Sequence, residues 1–186
     1  MSDLPERVRR AFRDHPSFDP APEPGRFRYT STPFAATVEA ATSDAGEDAV
    51  VTFHVTVQVP MLDEVTSDHV ADVVEDGWYE TFELRVADAG GVLQADRDVS
   101  PSVRRSIDDD ETRIAVVEAS LEDRTLSRGV ADAVAIANYV EGTYVQGIIP
   151  GYDYEPPVSD ILSDAHATGG SDETSYGRDE TSYPAE

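Results

Sequence analysis

The sequence predicts an α+β fold in two layers, an antiparallel sheet with helices packed mainly on one face. Three observations carry that expectation. Ala49, Val51, Phe53, Val55, Val57 and Val59 alternate strictly with Val50, Thr52, His54, Thr56 and Gln58, one side apolar and the other polar. A second alternating run spans Thr112 to Glu122, with Ile114, Val116 and Ser120 set against Val117 and Ala119. From Ser127, the residues Val130, Ala133, Ala137, Val140 and Tyr144 recur at helical spacing, widened by Val134 and Ile136, so this helix packs on the sheet.

Taken in order, Leu4 to Asp14 predicts a short amphipathic helix with Leu4, Val8, Ala11 and Phe12 on one side and Asp3 as N-cap. Its other side holds Arg7, Arg9, Arg10 and Arg13, the one locally basic stretch of the chain. Pro16, Pro20, Pro22, Pro24 and Gly25 make residues 14–25 an extended connector. Phe27 to Thr42 reads as a strand, with Phe34, Ala36, Val38 and Ala40 on one side; Pro33 favours an edge position or a late start to pairing. Ser43 to Asp48 is a turn, and the strand from Ala49 ends at Pro60, completing an antiparallel hairpin.

Val70, Val73 and Val74 suggest a helical stripe broken at Gly77. From Trp78 two periods compete; the length of the run before Gly90-Gly91 favours helix over strand. A short strand is expected within Asp98 to Ile107, and Asp108 to Glu111 turns the chain. Gly142 ends or weakens the helix from Ser127, an aromatic and glycine-rich passage runs from Tyr144 to Tyr154, and Pro157-Val158 starts a short helix through Leu162. In the tail, Asp172-Glu173-Thr174-Ser175-Tyr176 recurs as Asp179-Glu180-Thr181-Ser182-Tyr183 without an apolar stripe. The expected organisation is a helix and Pro-rich connector over 1–24, a single α+β domain over 25–165, and a disordered acidic tail over 166–186.

Composition says where the protein works more readily than what it does. All 14 basic residues are arginine, against 38 Asp plus Glu, for a formal charge of −24. A chain of this length ordinarily carries roughly ten lysines. Short, strongly hydrated acids in place of long lysine stems suit concentrated salt, where the Debye length falls to about 3 Å and crowded carboxylates scarcely repel. The expectation is the salty cytoplasm of a halophilic archaeon. The absence of cysteine removes thiol nucleophiles and Cys-based metal sites. No apolar run reaches transmembrane length, and the polar, Pro-rich residues after Arg9-Arg10 argue against a twin-arginine leader. Net negative charge argues against nucleic acid as partner. A nucleic-acid role would require Arg7, Arg9, Arg10 and Arg13 to share a face with Arg104 or Arg105.

Catalytic motifs are absent from the sequence. His15, His54, His69 and His166 lie in separate segments without metal-ligand spacing, and the acidic run at 108–111 lacks a calcium-loop pattern. There is no phosphate-binding glycine loop and no nucleophile elbow. No cofactor or metal is therefore expected. The most distinctive chemistry lies in Gly147 to Tyr154, where Tyr152 and Tyr154 flank Asp153. Together with Trp78 and Tyr144 these are the candidate ligand or partner residues, with Tyr152–Asp153 a conceivable acid–base pair.

The passages Val74-Glu75-Asp76-Gly77-Trp78-Tyr79-Glu80-Thr81-Phe82-Glu83-Leu84-Arg85 and Tyr139 to Tyr154 resemble a small haloarchaeal family of unknown function, over roughly residues 4–162 and without the tail. That resemblance carries no catalytic residue over. By element order alone the chain also resembles the YbjN-like and type III secretion chaperone-like α+β domains, which is analogy. The function expected is a non-catalytic protein-interaction or chaperone-like module, binding another protein or itself. The alternative is a small-ligand-binding protein or enzyme with a pocket near Trp78, Tyr144, Tyr152, Asp153 and Tyr154. An enclosed polar cavity would favour the second reading and a broad exposed apolar patch the first.

Overall fold

The computed structural model describes residues 4–42, 46, 49–94 and 99–169. Its centre is a six-stranded sheet in the order β1-β2-β3-β4-β6-β5, every neighbouring pair antiparallel. The strands are β1 (Phe18–Pro20), β2 (Arg26–Tyr29), β3 (Ala35–Thr42), β4 (Val51–Pro60), β5 (Ser102–Ile107) and β6 (Arg113–Asp123). Four helices accompany them, α1 (Glu6–Arg13), α2 (Asp72–Val86), α3 (Leu126–Gln146) and α4 (Val158–Gly169). The expected α+β class is what the chain adopts.

Register follows from the alternating valines. Val57 lies opposite Val117, Val55 opposite Ala119 and Phe53 opposite Leu121, all buried beneath α3. On the reverse face Thr52, His54 and Thr56 oppose Glu122, Ser120 and Glu118, and His54 Nδ1 lies 2.7 Å from the Ser120 hydroxyl. That face is polar, with Arg26 paired to Glu39 and Arg104 to Glu118 across strands. Ile114 and Val116 also point there and are nonetheless buried, flanked in register by Pro60 and Gln58 on one side and Ser106 and Arg104 on the other. The stripe read on α3 is the buried one: Val130, Ala133, Ile136, Ala137, Val140 and Tyr144 all face the core. Gly129 is needed there, because a Cβ would sit 2.3 Å from the Phe53 ring.

The structure corrects several expectations. The strand read from Phe27 to Thr42 is two strands, β2 and β3, folded back on each other so that Phe27 meets Val38 and Tyr29 meets Ala36. An unbroken strand would have put Phe27 and Tyr29 on the opposite face from Phe34 and Ala36, and the hairpin buries both sets. Pro33 imposes the late start; β3 is an interior strand, so the edge alternative does not hold. The connector at 14–25 contains β1, which pairs with β2 and carries buried Phe18.

α2 runs through Gly77 without a break and ends at Val86, with Val73 on its exposed side. Gly142 does not stop α3, which reaches Gln146, and the last helix extends to Gly169 rather than Leu162. α1 begins at Glu6 after Pro5; the Asp3 cap, most of the Ser43–Asp48 turn and the tail repeat lie outside the described residues.

Candidate functional site

The site is built from the way α2 is fixed to the sheet. Beyond β4 the chain makes a single 3-10 turn, Leu62–Glu64, and Asp63 then organises the approach to α2. Its Oδ1 accepts the Val70 N–H at 2.7 Å and faces His69 Nδ1 at 3.0 Å, while its own N–H donates to Glu75 Oε1 on α2. Arg113 of β6 completes the lacing: Nη2 donates to Asp63, Nε to Glu64 at 2.7 Å and Nη1 to Glu75 at 2.7 Å. Glu75 is only 5% exposed, so Arg113 supplies the counter-charge that its burial requires. The Val70 N–H, aided by His69 and Arg113, holds the Asp63 carboxyl below its ordinary range. Arg105 of β5 adds an ion pair to Asp76 at 2.6 Å and lies over the Tyr79 ring.

With its base pinned, α2 turns Glu75, Trp78, Phe82 and Val86 inward. Trp78 stacks on Phe82 and meets Tyr144 edge-on at 5.5 Å; Phe34 meets the same tyrosine at 4.9 Å. Tyr144 is fully buried, and burial drives its hydroxyl pKa far upward, with Tyr154 and Glu75 adding to the shift. Neither the Tyr144 hydroxyl nor the Trp78 indole N–H has a hydrogen-bond partner in the structure. Two buried donors without acceptors are an unusual local cost.

The five residues singled out from the sequence separate into two groups. Trp78 and Tyr144 belong to the aromatic core beneath α2. Tyr152, Asp153 and Tyr154 belong to a loop clipped onto the segment before α2. The Ser67 N–H donates to the Asp153 carbonyl, Glu155 N–H to the Val65 carbonyl, and Thr66 bridges Tyr154. The Tyr154 hydroxyl accepts the Ile149 N–H and donates to the Ile149 carbonyl, closing the loop on itself. The Asp153 side chain is exposed and Tyr152 half-buried. In this arrangement the loop is tied to residues 65–67, just ahead of α2.

What sequence reading missed lies outside these residues. Between α2 and α3 runs a groove of about 370 Å³, walled by Val73, Gly77 and Thr81 on one side and Thr143, Gln146 and Gly147 on the other, with Trp78 and Phe82 along its base. Val73 is 78% exposed, and Leu84, eleven residues further along α2, is 73% exposed. That spacing returns a helix to within about 20° of the same direction, so the two lie on one outward line, with exposed Glu80 between them. Gly77 also lies on that line, and Gly142 lines the adjoining surface of α3; a Cβ at either would meet nothing within 4 Å. Since internal packing does not demand these glycines, each simply weakens its helix. The spacing of Val73 and Leu84 was present in the sequence, but only the structure shows which side of α2 is covered.

Other chemistry is sparse. Among the described residues no three His, Asp or Glu side chains are grouped to hold a metal ion, and no helix is long and apolar enough to cross a membrane. The arginines of α1 and those of β5 sit at opposite edges of the sheet rather than on one face, and Arg7 is engaged with the Gly46 and Ala49 carbonyls. No curated protein and no solved structure matches the chain. The family model of DUF5813, a family of unknown function, matches residues 13–164, from the last residue of α1 into α4 and across the whole groove, and the chain belongs to that family.

Proposed function

We propose that the protein is a non-catalytic protein-interaction module that takes an amphipathic helix of a partner protein against the α2/α3 groove. The observation that carries this reading is the open, aromatic-based groove with exposed Val73 on its wall and exposed Leu84 further along α2. Apolar side chains exposed in this way gain by burial at roughly 25 cal/mol per Å². Gly77 supports the same reading, because bare backbone on the α2 wall lets a partner helix approach closely. Among the described residues, the polar reverse face of the sheet carries no exposed large hydrophobic side chain.

The test is parallel affinity capture from native extract in molar potassium chloride, with the wild-type chain and the Val73→Asp/Leu84→Asp variant. Each protein retained by wild type is then made separately and titrated calorimetrically. The reading requires a partner whose affinity drops at least about tenfold in the variant. Equal affinity for both chains, or no partner surviving purification, defeats it.

The unpaired Trp78 and Tyr144 donors favour a second reading, a small ligand whose acceptor atoms satisfy them. Native mass spectrometry of the freshly purified chain decides for this reading if a small molecule co-purifies and Trp78→Phe abolishes it.

A further inference from the structure

Arg85 stands where the groove between α2 and α3 adjoins a second hollow, of about 510 Å³, and it lines both together with Thr143 and Gln146. The Tyr139 hydroxyl, from α3, donates to the Arg85 carbonyl at 3.1 Å and so fixes this last turn of α2. Arg85 is exposed, and among the described residues its guanidinium has neither an ion pair nor a hydrogen bond. The arginines of β2, β5 and β6, by contrast, all meet carboxylates of the same chain. Arg85 is also the one charged side chain among the described residues that line the two hollows. Even with 38 Asp and Glu, the chain brings none of them to this cation.

A helix laid in the groove covers Arg85, and taking a charge out of water is costly unless a counter-charge comes with it. The groove supplies none, so the occupant must. We infer that the partner helix carries a carboxylate that pairs with Arg85, an inference that rests on the α2/α3 reading and adds the chemistry of the partner. The groove also sets where that carboxylate lies. Its α2 wall begins at Val73 and Val74 and ends at Arg85. Val74 precedes Arg85 by eleven residues, which places it about 16 Å away along α2 and within about 20° of the same direction. A helix running along the groove rises by the same amount per residue. Its carboxylate therefore sits about eleven residues from the apolar side chain that meets Val74. The guanidinium fork matches a carboxylate with two parallel hydrogen bonds, and molar salt screens a covered pair far less than an exposed one.

Arg85→Gln and Arg85→Glu join wild type and Val73→Asp/Leu84→Asp as baits for capture from native extract in molar potassium chloride, and each retained protein is purified and titrated. Arg85→Gln should weaken the partner at least about fivefold, and Arg85→Glu more. An arginine in the last turn also suits the helix dipole, so a charge exchange separates pairing from a merely structural role. Each Asp and Glu of the partner's bound helix is replaced by Arg in turn, and one such variant should bind the Arg85→Glu chain more tightly than wild type. Equal affinity for wild type and both Arg85 variants, with Val73→Asp/Leu84→Asp still impaired, overturns this inference and leaves the α2/α3 reading standing. A loss at Arg85 that no charge exchange restores does the same. No partner, or a partner indifferent to Val73→Asp/Leu84→Asp, overturns both. Arg85 is a surface residue whose carbonyl, rather than its side chain, meets Tyr139, so both of its variants are expected to fold.

Discussion

At the scale of single residues, the junction of Asp63, Glu75 and Arg113 decides where α2 sits. Asp63 is both acceptor for the Val70 N–H and donor, through its own N–H, to Glu75. Its carboxyl is held below the ordinary value of 3.8, first by the Val70 N–H, against the opposing effect of burial. A group whose pKa is lower folded than unfolded contributes stability above its unfolded pKa and loses it as pH falls through the folded value. Asp63→Asn should therefore cost about 2 kcal/mol near pH 7. The gap between wild type and variant should close as pH drops below about 4. Urea midpoints measured for both chains across that range check it, and a pH-independent gap would show that the charge on Asp63 plays no part. Trp78 and Tyr144 illustrate a different lesson. Tyr144 already lay on the apolar stripe of α3, so its place in the core was legible, whereas its unpaired hydroxyl depends on which neighbours surround it.

At the scale of elements, α2 is the helix least determined by its own residues. Its inward side, Glu75, Trp78, Phe82 and Val86, includes a carboxylate that no periodicity argument places in a core. Only Arg113, arriving from β6, makes that position tolerable. The same helix leaves Val73 and Leu84 in water and carries Gly77 where a side chain would meet nothing. Gly77→Ala and Gly142→Ala should each stabilise the isolated protein by about 0.5–1 kcal/mol. That corresponds to a rise in Tm of about 2–4 °C per kcal/mol. Calorimetric melting of the two variants is the check; a fall in Tm would mean that the glycines serve the fold itself rather than a docked partner. The β2–β3 hairpin shows how a strand boundary hides in plain sequence. The parity change between Tyr29 and Phe34 was the available sign of a turn, and Pro33 alone reads only as a late start.

At the scale of the whole molecule, charge and topology set the remaining behaviour. The acids cover the polar sheet face and the outer sides of the helices, and at −24 they repel one another in dilute solution. The unfolding midpoint should rise with potassium chloride, most steeply below about 1 M, where the Debye length has already shrunk to about 3 Å. Thermal melts over a salt series read this directly, and a flat dependence would remove the argument for a brine-adapted interior. The sequence by itself determined the α+β class, the inward side of β3, β4 and α3, and the absence of any familiar catalytic motif, because these rest on short-range periodicity and residue chemistry. Tertiary structure alone decided the strand order, with β6 inserted between β4 and β5, the buried pairing of Glu75 with Arg113, and the groove between α2 and α3. Those features arise where segments far apart in the chain meet, and a local pattern of apolar and polar residues fixes which side is covered without naming what covers it.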